Sequence, residues 1–144
     1  AAVVVASQTI CRELGLTPMA EIVACATAGV EPDLMGIAPV FSTRRALDRA
    51  GISLAAVDLI ELNEAFAAQS IAVMRELRLP AHKVNVNGGA IALGHPFGAS
   101  GARILVTLIY EMQRRNVEYG LATLCMGGGQ GISMIVKRSP VAYN

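Results

Sequence analysis

The sequence predicts an α/β domain built on a mixed, five-stranded sheet, in the order βαβαβαββ, covered by helices on both faces. Three observations predict it. Apolar and β-branched runs of strand length alternate with helix-length segments along most of the chain. The last two strands are joined by a few glycine-rich residues, too short a link for a parallel crossover, so the sheet is mixed. One helix, starting at Gly101, carries Ile104, Leu105, Val106, Leu108 and Ile109 almost all round its axis. A helix apolar on every side is buried on every side, and one sheet covers only one of them.

Residues 1–6 form a short β-branched run that reads as a strand. Ser7 can cap a short helix ending near Gly15. Residues 22–27 read as a strand, followed by a loop through Pro32 and Asp33. Ser42 can cap a helix that stops at Gly51, a residue suited to the left-handed position after a helix. Residues 57–61 are a strand. Asn63 can cap the next helix, which sets Phe66, Ser70, Met74 and Leu77 on one face. Residues 84–86 are a short strand running into a glycine loop. Ser100 or Gly101 opens the apolar helix, which reaches Arg114 and Arg115, charges that suit a helix C-terminus. Residues 122–125 and 132–137 are the closing strands, on either side of a tight turn over 127–131.

Composition narrows the functional classes. The 144 residues suit one ordinary domain. Apolar residues make up 53% of the chain and mean hydropathy is +0.50, yet no run approaches the ~18 residues of a membrane span. The surplus fits strands buried on both faces, or a large protein interface. Net charge is +1 and the basic pairs Arg44-Arg45, Arg114-Arg115 and Lys137-Arg138 are scattered, which excludes a concentrated nucleic-acid surface. Cys11, Cys25 and Cys125 are far apart and, with two histidines, offer no zinc-ligand spacing. Their odd number, with no secretory signal, points to a reducing compartment. The chain starts at an alanine inside a strand-like run, which suggests a fragment.

Three constellations fall at strand ends, where open α/β sheets place their sites. The first is Asn63-Glu64-Ala65-Phe66, either a helix cap with Glu64 near the helix dipole or an amide that orients a water or a carbonyl. The second is His95, in a loop from Asn87 to Gly101 rich in glycine. The proline after it favours extended backbone, so His95 sits on a loop, as a structural residue or as an acid, base or hydrogen-bond donor. His82, in a polar turn, reads as a solvated surface residue. The third is Cys125-Met126-Gly127-Gly128-Gly129, where glycine N–H groups can form a nest for a thiolate or an oxyanion. Cys11 and Cys25 read as small buried hydrophobes. The stretch Gly98-Ala99-Ser100-Gly101-Ala102 fails as a nucleophile elbow at its last position, and no phosphate-binding glycine motif is present.

Together these stretches resemble the C-terminal half of the thiolases. Asn63-Glu64-Ala65-Phe66, Gly94-His95-Pro96-Phe97-Gly98-Ala99-Ser100-Gly101 and Cys125-Met126-Gly127-Gly128 stand in that family's order and at its usual separations. Residues 26–32 resemble the opening of that half. The resemblance implies that residues 1–17 are the last strand and helix of an N-terminal half and residues 18–144 a C-terminal domain. It implies acyl transfer between acyl-CoA and CoA with reversible Claisen condensation, acetyl-CoA acetyltransferase above all. Cys125 then matches the cysteine that acts as acid and base, His95 the histidine that helps activate the nucleophile, and Asn63 the residue that holds a water in the oxyanion hole. Gly127 matches an N–H donor of a second oxyanion hole, and Met35 and Phe66 match apolar pocket positions.

The resemblance implies no metal and no resident cofactor, CoA thioesters being substrates. The partners expected are acyl-CoA, CoA, an N-terminal thiolase half and further copies in a homodimer or homotetramer, with no nucleic acid and no membrane. The expected location is the cytoplasm, or an organelle matrix in a eukaryote. The family's acylated cysteine belongs to the N-terminal half, and neither Cys11 nor Cys25 stands in its motif, so the isolated chain is expected to be inactive. The alternative is a non-catalytic assembly domain that pairs with another thiolase-like subunit. The paired His95 and Cys125 motifs argue against the condensing-enzyme branch.

Overall fold

A computed structural model describes residues 1–139. Alternate residues of its central strands separate into two apolar cores, one on each face of a single sheet. Leu121 and Ile135 pack with Val40, Leu47 and Val73 on one face, whereas Ala122 and Val136 pack with Ile104, Leu108 and Met112 on the other. Helices therefore cover both faces, as expected. The elements are α1 (Gln8–Glu13), β1 (Ala20–Gly29), α2 (Ala38–Ala50), β2 (Leu59–Leu62), α3 (Ala67–Leu77), α4 (Ala90–Leu93), α5 (Ser100–Arg115), β3 (Tyr119–Met126) and β4 (Gln130–Arg138).

The sheet has four strands, in the order β1-β4-β3-β2. Strands β1 and β3 both run antiparallel to β4, and β2 runs parallel to β3. The carboxyl ends of β1, β2 and β3 consequently lie along one edge. The fifth strand expected over 84–86 shrinks to one parallel bridge between Val84 and Ile60. Asn85 ends it. Its φ is +48°, and its side chain takes over the ladder, accepting from the Leu62 N–H at 2.9 Å and donating to the Leu62 carbonyl at 2.8 Å. An amide side chain in this role is a local substitute for a neighbouring strand.

Three other expectations change. Residues 1–6 form no strand, because the described sheet offers them no neighbour to pair with, and Val4 is 97% exposed. Helix α2 begins at Ala38 with Pro39 in its first turn, so Ser42 is inside it rather than at its cap. The Ser42 hydroxyl is buried and meets Ser133 at 2.7 Å, in a cluster with Thr43 and Thr123 that ties α2 to β3 and β4. Helix α3 begins at Ala67 and has no side-chain cap, since Asn63 is turned elsewhere. Ser7 does cap α1 and Gly51 does end α2, with φ +66°.

The edge strand β1 has its outward carbonyls covered from α2. Arg45 donates to the Thr27 carbonyl at 3.0 Å and Arg49 to the Cys25 carbonyl at 2.6 Å, which blunts the edge against pairing with another chain. Helix α5 packs Ile104, Leu108 and Met112 on the sheet, fully buried. Its other side is less covered: Tyr110 is 63% exposed, and Leu105, Val106 and Ile109 are half-buried. Among the described residues, no helix is long and apolar enough to cross a membrane.

Candidate active site

The parallel pairing of β2 with β3 continues one residue past β2, where the Asn63 N–H donates to the Thr123 carbonyl at 3.0 Å. That bond sets Asn63 at the carboxyl edge, fully buried, beside the strand that ends in Cys125 and Met126. The Asn63 side-chain amide reaches His95, with Nδ2 at 3.4 Å from Nε2. His95 is held from its other side, with Nδ1 at 2.6 Å from the Ser100 hydroxyl. Ser100 is the first residue of α5, and its hydroxyl donates to the Pro96 carbonyl at 3.1 Å.

These bonds fit the Nδ1–H tautomer of the imidazole. The Ser100 proton is engaged by Pro96, so its oxygen accepts from Nδ1–H of His95. Nε2 is then unprotonated and accepts from the Asn63 amide. A neutral histidine in this tautomer presents a basic nitrogen at the carboxyl edge. The ring also meets Phe97 edge-on, at 4.8 Å between centroids.

Glu64 locks the loop to β2. Its carboxylate accepts from the Ile91 N–H at 3.0 Å, in the first turn of α4, just before the loop that carries His95. The acidic residue expected at a helix N-terminus is thus at that of α4, not α3. Gly89 permits this approach, because a Cβ there would come within 2.3 Å of the Glu64 carboxyl.

Cys125 is buried, and burial pushes its thiol above the usual range. The expected glycine nest favours the thiolate, but the shift here is the opposite one, set first by desolvation. The turn that follows is built as expected, with Gly128 at φ +81° and Gly129 at φ +86°. Gly129 tucks against the loop after β1, accepting from the Val30 N–H at 2.7 Å. Gly127 is exposed in that turn. Met35 lies half-buried in the short 3-10 helix Pro32–Ile37 after β1, and Phe66, before α3, is 66% exposed. All the expected site residues therefore lie along the one carboxyl edge. Of these, only Asn63 and His95 are hydrogen-bonded to each other. Two surface concavities, one beside Ile71 and Arg75 and the other beside Leu54 and Pro80, lie away from them. Among the described residues, no group of histidine, cysteine and acidic side chains is placed to hold a metal.

Residues 16–138 match the family model for the thiolase C-terminal domain. The chain belongs to the thiolase family. It is 62% identical over 138 residues to an acetyl-CoA acetyltransferase of Pseudomonas aeruginosa, covering 96% of this chain and 35% of that protein. It is 59% identical over 140 residues to a 3-oxoadipyl-CoA/3-oxo-5,6-dehydrosuberyl-CoA thiolase of Escherichia coli, with the same coverage of 96% and 35%. The crystal structure of human mitochondrial 3-ketoacyl-CoA thiolase in complex with CoA superposes with a TM-score of 0.92 at 48% identity, over 94% of this chain and 34% of that one. The chain thus spans about a third of the length of the thiolases it matches.

The motifs at Asn63, His95 and Cys125 were legible in the sequence, but a layer beneath them was not. Glu61 is 2% exposed, and burial pushes its carboxyl up to about 7 despite the nearby Arg103. The one sequence signal was a carboxylate inside the apolar run Leu59-Ile60-Glu61-Leu62.

Proposed function

We propose that this chain is the catalytic C-terminal domain of a thiolase, transferring acyl groups between acyl-CoA and CoA and running the Claisen condensation reversibly, with acetyl-CoA acetyltransferase activity. The observation that carries the proposal is the Asn63–His95 contact at the same carboxyl edge as Cys125. In the Nδ1–H tautomer, Nε2 takes the proton of an incoming thiol in place of its long contact with Asn63 and then donates that proton to a thioester oxygen. In synthesis the Cys125 thiolate removes a proton from the methyl of acetyl-CoA. The resulting enolate attacks the carbonyl carbon of an acyl-cysteine; a carbon–carbon bond forms, the carbon–sulfur bond breaks, and the electron pair leaves on the cysteine sulfur. In this reading Asn63 and His95 stabilise the enolate oxygen, Gly127 serves the acyl-enzyme oxygen, and Met35 and Phe66 line the acyl path.

The acylated cysteine comes from an N-terminal half, the partner that covers the open side of α5. Exposed Phe97, Ile91 and Leu93, at 88%, 65% and 55%, support a covering partner at this edge. The CoA-bound human relative supports CoA as a ligand. One observation favours a second reading, a non-catalytic assembly domain: the Cys125 thiol is raised, and a base needs it ionised.

The deciding experiment joins this chain behind the N-terminal two-thirds of the Pseudomonas aeruginosa relative and assays thiolysis of acetoacetyl-CoA. The chain alone should show no turnover, and the joined enzyme should. Cys125→Ser should spare the acylation half-reaction and slow carbon–carbon bond formation by about a hundredfold or more, while His95→Ala impairs both. A folded joined enzyme without turnover, or equal losses in both half-reactions for Cys125→Ser, contradicts the catalytic reading.

A further inference from the structure

Directly beneath the Asn63–His95 contact lies a layer of buried, unpartnered polar groups. Side chains alternate along a strand, so Leu59, Glu61 and Asn63 share one face of β2. Leu59 packs with Ile104 and Leu108, so that face is the one under α5. Strand β2 runs towards the site, and α5 runs away from it, starting at the Ser100 that holds His95. One step back along β2 from Asn63 is Glu61, and about one turn along α5 from Ser100 is Arg103.

The polar groups of this layer lack partners. Nε, Nη1 and Nη2 of Arg103 are all buried with no hydrogen bond. So are Oε2 of Glu61 and Oδ1 of Asn63, in residues 2% and 0% exposed. Arg103 is close enough for its charge to act on Glu61, yet no ion pair or hydrogen bond joins the two among the described residues. Gln69 carries another buried orphan nitrogen, but it belongs to α3, beside Gly36 and on the opposite face.

The orphans are of both kinds. Arg103 offers only donors, whereas Asn63 Oδ1 and the ionised Glu61 carboxylate need donors. An anion would satisfy the guanidinium and repel the two acceptors; a cation would do the reverse. Water accepts from Arg103 and donates to both oxygens, and buried waters typically make about three such bonds.

We propose that at least one enclosed water bridges Arg103 to Glu61 and to Asn63 Oδ1, and that this hydrated layer holds the Asn63 amide with its N–H towards His95. The two ends of an amide are alike in shape, so the choice between them rests on their partners. With Oδ1 drawn inward by the water, Nδ2 faces Nε2 of His95; flipped, two acceptors would oppose each other. Glu61 and Arg103 are positioning residues here, acting through Asn63. The consequence for catalysis rests on the thiolase reading; the layer itself does not.

The test uses NMR on the full 144-residue chain. The expected results are a cross-peak between the Arg103 Nε–H and a long-lived water, and His95 ring nitrogens in the Nδ1–H tautomer. Arg103→Met keeps the length and removes the donors. It should abolish the cross-peak and raise the share of the other tautomer about fivefold, the weight of one hydrogen bond. Arg103→Lys, which still donates to water, should recover most of the wild-type ring spectrum. No bound-water cross-peak at Arg103, or an unmoved His95 ring in Arg103→Met, overturns the proposal. If Arg103→Met does not fold, Glu61→Gln carries the test through the Asn63 side-chain amide signals. These should shift, and an unchanged amide overturns the proposal equally. A joined enzyme without turnover, in the presence of these signatures, counts against the thiolase reading alone.

Discussion

Replacing Glu61 with glutamine should change the pH dependence of stability more than its absolute value. Burial pushes the Glu61 carboxyl from 4.5 up to about 7, with Arg103 lowering it and Glu111 and Glu64 adding to the rise. A folded state that holds the proton more firmly than the unfolded chain is stabilised by protonation, and stability falls as pH rises wherever the folded form is protonated and the unfolded form is not. That gain is fully present below the unfolded value of 4.5 and is lost as pH rises through about 7. Between about pH 5 and about pH 8 it amounts to roughly 2.5 kcal/mol. The assay is urea unfolding of the wild-type chain and of Glu61→Gln across that range. Subtracting the two curves cancels the titrating groups that do not act on Glu61; Glu111 and Glu64, which do, make smaller contributions than burial. Glutamine has its own cost opposite Arg103, but that cost does not vary with pH. The variant should therefore gain about 2 to 3 kcal/mol relative to wild type on going from acid to alkaline. Parallel curves, with the same difference at both ends, would refute the reasoning.

Three further outcomes follow from the geometry. Gly129→Ala should lose at least about 2 kcal/mol of unfolding free energy, because φ is +86° and the new Cβ would lie 2.2 Å from the Val30 carbonyl oxygen; wild-type stability in a urea melt counts against the close approach. Asn85→Ala should lose about 2 kcal/mol, since it removes both ladder bonds to Leu62 and leaves them unreplaced. Hydrogen exchange should show the Leu62 N–H losing protection first. Alkylation near neutral pH, followed by mass spectrometry, should label Cys125 at least about tenfold more slowly than Cys11 or Cys25, because Cys125 is buried with its thiol pushed up and the others are half-buried. Equal or faster labelling of Cys125 would show the thiol to be open and ionised.

What sequence reveals here depends on whether a residue's role is local. Gly51 and Ser7 act on their own helix ends, and both were legible. The loop around His95 was legible because glycine, histidine and proline restrict backbone and chemistry together. Taken alone, Asn63 read first as a helix cap; the ladder bond to Thr123 turns it inward to His95. Residues 84–86 carry strand propensity, yet a single left-handed Asn85 moves the pairing from backbone to side chain. Residues 1–6 have the composition of a strand and no neighbour, and propensity alone cannot supply one. Glu61 was hidden for a related reason. In a half-solvated strand a lone carboxylate reads as the outward residue, and only the packing of α5 on that face encloses it.

The carboxyl edge brings an imidazole nitrogen on His95, a buried amide on Asn63 and a raised thiol on Cys125 to one end of the sheet. The open side of α5 and exposed Phe97 border the same edge. A partner that covers this edge with apolar surface alone would desolvate Cys125 further and push its thiol higher still. For Cys125 to work as a base, the cover has to bring hydrogen-bond donors or positive charge with it. The free N–H groups of the Gly127–Gly128 turn can then act together with those donors on one thiolate. An apolar cover with no such groups would bury the same face and leave the thiol protonated. That difference separates a catalytic partner from one that only completes the fold.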